Sequence, residues 1–198
     1  MLGECGTKRA MTRERPRRGA RPLDSKRLEE LALRYVGRFA TTRAKLLHYL
    51  GRKLRERGWE GQSDPDPDAL ATRFADLGYV DDRAFALSKE AAHAARGLGR
   101  RRLSASLRAA GVGEEDGADA LALAETRSLE SALRLAQRRK LGPFASAPPV
   151  SPRERDKALA AFIRGGHGFD IARSIVDLMP GDEEGLAELR SRFAGTAE

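Results

Sequence analysis

Residues 41–59 read TTRAKLLHYLGRKLRERGW, which is a basic segment with a leucine at every fourth position from 46 to 54. Leucines at this spacing lie on one face of an α-helix and form an apolar stripe. Gly58 is placed to end the helix, because a glycine just past a helix end tolerates a left-handed backbone. The large apolar Trp59 follows. The same order of leucines, glycine and apolar residue occurs twice more, in Leu103, Leu107, Gly111 and Val112 and in Leu159, Ile163, Gly168 and Phe169.

The recurrence of this unit predicts a helical repeat protein. Gly58, Gly111 and Gly168 are separated by 53 and 57 residues, slightly more than the period of common two- or three-helix repeats. Only 6% of the residues are aromatic, so we predict an all-α fold of three tandem three-helix repeats that form an elongated curved array. The predicted boundaries are a disordered basic arm at 1–24, repeats at 25–80, 81–125 and 126–180, and a flexible acidic tail at 181–198.

Capping residues mark where the predicted helices begin. Short polar side chains before a helix accept hydrogen bonds from its free N–H groups, and proline suits the first helical position. The predicted N-caps are Thr41 or Thr42, Asp66 before Pro67, Asp81 or Asp82, and Ser151 in a capping box with Glu154. The apolar residues predicted to face inward from the third and fourth helices are Leu70, Phe74, Leu77, Phe85 and Leu87.

The charge pattern indicates a partner that carries negative charge. The net charge is +8, and residues 26–57 hold ten basic and three acidic groups, whereas residues 58–82 hold one and seven. Alternating blocks of this kind predict one basic and one acidic face, although a merely solvated helical surface is the alternative. The basic residues proposed as the contact face lie beside the leucine stripes: Arg43, Lys45, Arg52, Lys53, Arg100, Arg101, Arg102, Arg138 and Arg139. The three at 100–102 oppose the dipole of their helix, so we expect an external anion or a carboxylate nearby.

No pattern in the chain predicts catalysis, a metal or a cofactor. The three histidines stand apart from one another, and Cys5, the only cysteine, cannot form an intramolecular disulfide. The glycine-rich loop at 165–168 follows a helix and lacks the lysine of a phosphate-binding loop, so we interpret it as a flexible turn. No apolar stretch is long enough for a membrane span. The sequence therefore favours a monomeric cytoplasmic binding protein over an enzyme.

Three segments resemble the RecX family, the bacterial regulators of the RecA recombinase. They are residues 41–59, 77–86 (LGYVDDRAFA) and 97–112, which contains GLGRRRL. The resemblance implies three tandem three-helix repeats that lie in the groove of the filament formed by RecA on single-stranded DNA. It also implies inhibition of the RecA ATPase, strand-exchange and coprotease activities, with roles in DNA repair, homologous recombination and the SOS response.

A free-standing helical DNA-binding protein is the alternative. Helix–turn–helix-like units could coat or read duplex DNA without RecA. The observation that separates the two functions is whether binding and inhibition require a RecA filament.

Overall fold

The computed structural model describes residues 21–194, and this part of the chain confirms the all-α prediction. It contains ten α-helices, a short 3-10 helix at Gly142–Phe144 and a single isolated β-bridge between Leu23 and Trp59. The helices are α1 (Ser25–Val36), α2 (Arg43–Arg57), α3 (Pro67–Asp76), α4 (Asp82–Ala95), α5 (Arg100–Ala109), α6 (Glu114–Thr126), α7 (Ser128–Arg139), α8 (Pro152–Gly165), α9 (Phe169–Val176) and α10 (Glu183–Ala194).

The predicted helix starts are confirmed by side-chain hydrogen bonds. Thr42 accepts from the N–H of Lys45 at 3.2 Å, and Asp66 accepts from the N–H of Ala69 at 2.8 Å. The two remaining caps bond in the same way, with Asp81 accepting from Ala84 at 2.7 Å and Ser151 from Glu154 at 3.3 Å. Each cap satisfies an N–H group that has no partner within its own helix.

The apolar stripes assemble into three hydrophobic clusters along the chain, except that Ile163 and Phe169 of the third predicted copy are 41% and 53% exposed. The first joins α1, α2 and α3 around Leu46, Leu50 and Phe74. The second joins α4, α5 and α6 around Leu103 and Leu107. The third joins α7, α8, α9 and α10. The division of the chain into three equivalent repeats stays a prediction.

Two apolar residues predicted to face inward are exposed instead. Leu77 is 62% exposed because it lies at the C-cap of α3, where the chain turns through Gly78 with φ of 75°. The core position that we assigned to Leu77 is taken by Val80, which is 5% exposed and whose N–H bonds to the carbonyl of Phe74. Leu87 is 37% exposed because it lies two residues from the buried Phe85, on the opposite side of α4.

The predicted basic arm ends earlier than its composition suggested. The N–H of Leu23 donates to the carbonyl of Gly58 at 3.0 Å, and the N–H of Glu60 donates to the carbonyl of Leu23 at 2.8 Å. The side chain of Leu23 is fully buried in the first cluster, and Asp24 caps α1. The prediction of disorder is therefore wrong for residues 21–24. The rest of the predicted arm, residues 1–20, lies outside the described residues.

The prediction of a flexible acidic tail is wrong for residues 183–194, which form α10. Leu186 and Leu189 are 8% and 5% exposed and pack into the third cluster. Leucines at helical spacing drive this packing, while Glu183, Glu184 and Glu188 remain exposed. Three three-helix repeats would give nine helices, whereas the described part of the chain contains ten α-helices. Residues 195–198 of the predicted tail lie outside the described residues.

Candidate functional site

The start of α5 docks directly on the end of α8, which joins the second cluster to the third. α5 has no capping side chain; instead the N–H groups of Gly99 and Arg101 donate to the carbonyls of Gly165 and Gly166, at 2.9 and 3.2 Å. Gly166 has φ of 91°, and a Cβ there would lie 2.5 Å from the backbone nitrogen of Arg102. Only glycine allows so close an approach. The loop that we predicted as a flexible turn is therefore a buried contact.

This docking also revises the expectation of an external anion at the three arginines. Backbone carbonyls, which carry partial negative charge, occupy the N-terminal end of α5 and offset its dipole. Arg100 additionally lies beside a carboxylate, with its Nε 3.4 Å from Glu125 on α6. The side chains of Arg101 and Arg102 remain exposed and free to meet a ligand.

The docking of α5 on α8 creates a basic groove of about 640 Å³ between the second and third clusters. We call it the arginine groove. Its lining includes five arginines and no carboxylate: Arg96, Arg101, Arg102, Arg139 and Arg164. Within residues 21–194, none of these guanidinium groups forms an ion pair. Five unpaired cations around one concavity attract anions strongly.

Arg138 has a different role from its neighbour Arg139. Its guanidinium donates to the carbonyl of Arg96 at 2.7 Å and so ties the end of α7 to the end of α4. A Lys or Arg side chain that bonds the last carbonyls of a helix stabilises that end. Arg138 therefore supports the wall of the arginine groove, and Arg100 lies outside the groove, against α6.

The remaining predicted basic residues lie on α2, at or beside the junction between the first and second clusters. Thr42 Oγ1 donates to the carbonyl of Ala110 at 2.6 Å, which places α2 against the end of α5. Arg43 bonds Thr72 Oγ1 at 2.9 Å, and Lys53 pairs with Glu56 at 2.7 Å. The nine predicted residues are therefore distributed over two junctions and the surface beside them.

A second basic concavity, of about 460 Å³, opens at this first junction. We call it the tyrosine pocket, and the large side chains that line it are Tyr35, Lys45, His48, Tyr49, Arg52 and Arg108. Burial and the nearby charge of Lys89 lower the pKa of Lys45, whose ammonium lies 4.6 Å from the ring centre of Phe85. Arg52 lies 5.7 Å from the ring centre of Tyr49.

Carboxylates at the same junction cap helices, which matches their interpretation from the sequence. Asp81 caps α4, and Asp82 Oδ1 accepts the N–H of Arg43 at the start of α2, at 2.9 Å. Burial raises the pKa of Asp82, an effect opposed by that hydrogen bond. In the described residues no three His, Cys, Asp or Glu side chains gather to hold a metal ion, and no helix is long and apolar enough to cross a membrane.

Four contributors to these sites were not predicted from the sequence. Arg96 and Arg164 each precede a glycine at a helix end. A single arginine at such a position does not indicate an anion-binding site in the sequence. His167 is 2% exposed; its Nε2–H donates to the carbonyl of Gly97 at 3.0 Å, and burial lowers its pKa. Glu90 is also 2% exposed and faces Arg127 at 3.4 Å. Both buried groups hold the second cluster against the third.

The comparisons with known proteins agree on one group of relatives. No family model matches the chain. It is 33% identical over 177 residues to "Regulatory protein RecX" of Myxococcus xanthus (strain DK1622), a match that covers 85% of this chain and 94% of the relative. It is 32% identical over 153 residues to "Regulatory protein RecX" of Thermobifida fusca (strain YX), covering 76% and 77%. The crystal structure of RecX from Lactobacillus salivarius has the same fold, with a TM-score of 0.56 at 18% identity over 84% of this chain and 96% of that one.

Proposed function

Since this chain belongs to the RecX family of regulatory proteins, we propose that it binds the filament of RecA on single-stranded DNA and inhibits the ATPase, strand-exchange and coprotease activities of RecA. A role as a regulator of RecA follows from the family, and the inhibited activities are the proposal. We further propose that it acts as a cytoplasmic monomer in recombinational DNA repair and in the SOS response.

The arginine groove is the observation that carries this proposal. Guanidinium groups bind phosphate oxygens through paired N–H donors, which makes arginine the preferred residue for phosphate recognition. Arg101, Arg102 and Arg139 are three of the nine residues expected from the sequence, and the fold brings them together with Arg96 and Arg164. A concavity without carboxylates suits the DNA backbone or an acidic surface of RecA.

The other predicted residues extend the proposed contact face to both sides of the arginine groove. Lys45 and Arg52 line the tyrosine pocket, while Arg43 and Lys53 lie beside it on α2. Arg100 pairs with Glu125 on α6, and Arg138 bonds the carbonyl of Arg96 at the end of α4. We therefore propose that these two arginines contribute less to filament contact than the others. The face proposed for the filament therefore runs from the first junction to the second.

The test is a RecA ATPase inhibition assay with the double variant Arg101→Ala, Arg102→Ala. We expect weaker inhibition, and a salt dependence of filament binding that is flatter by up to about two units in log–log slope. The matched control is Arg34→Ala with Arg153→Ala, which removes the same charge from exposed, unpaired positions away from the groove.

Equal inhibition by the double variant and the parent at every salt concentration would show that the arginine groove is not the contact site. If the protein binds duplex DNA equally well without RecA and leaves RecA activity unchanged, the free-standing DNA-binding alternative is correct. Melting temperatures should be the same for all variants, because exposed arginines contribute little to stability.

A further inference from the structure

The tyrosine pocket has aromatic faces that phosphate binding does not explain. The rings of Tyr35 and Tyr49 stack with centres 4.2 Å apart and planes inclined by 12°. The ring of Phe39 lies 5.5 Å from that of Tyr35, and it is 53% exposed. The plane of Phe39 is inclined by 52° to that of Tyr35, so Phe39 does not continue the stack but presents a largely exposed ring beside the tyrosine pair.

Cations share the pocket with these rings. Lys45, Arg52 and Arg108 line it together with His48, and no carboxylate lines it. Arg38 adds a further cation beside the rings, 5.8 Å from the ring centre of Phe39. The ligand that fits therefore combines a planar ring system with negative charge.

The pocket is held open by the junction that forms it. α2 approaches the end of α5 so closely that a Cβ on Gly111 would lie 2.3 Å from the Cβ of Ala44. Gly111 has φ of 72°, and the Thr42–Ala110 hydrogen bond anchors the same contact. The residues of this contact that line the pocket are small, namely Ala44, Ala109, Ala110 and Gly111, so the tyrosine rings and the basic side chains are the large members of its lining.

From this arrangement we infer that the tyrosine pocket binds unpaired nucleotides, with the bases against Phe39, Tyr35 and Tyr49 and the phosphates at Arg52 and Arg108. Proteins that bind single strands combine stacking rings with a basic channel, and the bases of a duplex are already stacked on each other. The inference rests on the proposed function only in naming the DNA of the RecA filament as the source of the strand. Binding itself requires no RecA and is tested without it.

The experiment compares two ligands that differ only in their bases. A single-stranded oligodeoxynucleotide and an abasic strand of equal length carry the same phosphates, so stacking appears as the ratio of the two affinities. Measured by fluorescence anisotropy without RecA, the parent should prefer the strand with bases by about tenfold or more. Phe39→Leu and Tyr49→Leu should each reduce this ratio several-fold, because leucine keeps the apolar volume but has no ring face.

Two control variants make the result specific. Phe169→Leu changes a phenylalanine that is also 53% exposed but lies on α9, and it should leave the ratio unchanged. Tyr49→Phe keeps the ring and should retain most of the preference. Because Phe39 is exposed, its variant should remain folded and decides the question even if Tyr49→Leu unfolds the first cluster.

Equal affinity of the parent for the two strands overturns the inference, as does an unchanged ratio in folded Phe39→Leu. The ATPase assay separates this outcome from the proposed function. If the base preference is absent while Arg101→Ala with Arg102→Ala still weakens inhibition of RecA, only the tyrosine pocket has been misassigned. If the base preference holds while RecA activity is unaffected by the protein, the proposed function fails and the single-strand site stands.

Discussion

Replacing Gly166 with alanine should separate the second cluster from the third. The backbone of Gly166 is left-handed, with φ of 91°, which costs an alanine about 1–2 kcal/mol. The added Cβ would also lie 2.5 Å from the backbone nitrogen and 2.6 Å from the Cβ of Arg102. Because backbone atoms cannot rotate away, relief requires α5 to shift from α8, and overpacking of this kind costs about 1–3 kcal/mol more. The total is a large share of the roughly 5–15 kcal/mol that stabilises a domain.

Gly181→Ala is the matched control, because Gly181 has a similar φ of 76° but has no described atom within 4 Å of its Cβ position. Urea unfolding should show a loss of about 1–2 kcal/mol for Gly181→Ala and a clearly larger one for Gly166→Ala. Gly166→Ala should also weaken inhibition of the RecA ATPase, since the arginine groove depends on this docking. Equal destabilisation by the two substitutions would refute the close contact between Gly166 and Arg102.

Further predictions concern the cores and pH. Leu50→Ala, at a fully buried position, should reduce the free energy of unfolding by about 2–5 kcal/mol, whereas Leu77→Ala, at a 62% exposed position, should change it by about 0.5 kcal/mol or less. Burial lowers the pKa of His167 and also that of His93, so the unfolded chain binds these protons first and stability should decrease as pH falls below about 6.5. His167→Gln should reduce that loss in urea titrations between pH 7 and 5; an unchanged slope would mean that His167 is not buried against Gly97.

Predictions from local sequence were accurate wherever the determining interaction spans only a few residues. Thr42, Asp66, Asp81 and Ser151 each bond a backbone N–H three positions later, so the helix starts are visible in the sequence. Leu77 and Leu87 were misassigned because inward orientation depends on where the helix ends and which face its neighbour covers. The acidic composition of residues 181–198 likewise led to the prediction of a flexible tail, although Leu186 and Leu189 in it are buried.

By itself the sequence determined an all-α chain, the starts of its helices and a basic surface with RecX-like segments, because capping and four-residue periodicity act within a helix. Tertiary structure alone decided which of the nine basic residues share a site. Arg96, Arg139 and Arg164 are brought to Arg101 and Arg102 by the contact of Gly165 and Gly166 with the start of α5. That contact joins backbone atoms more than 60 residues apart in the sequence, so no pattern of side chains in the sequence predicts it. The site therefore depends on how the helices dock, for which local periodicity carries no information.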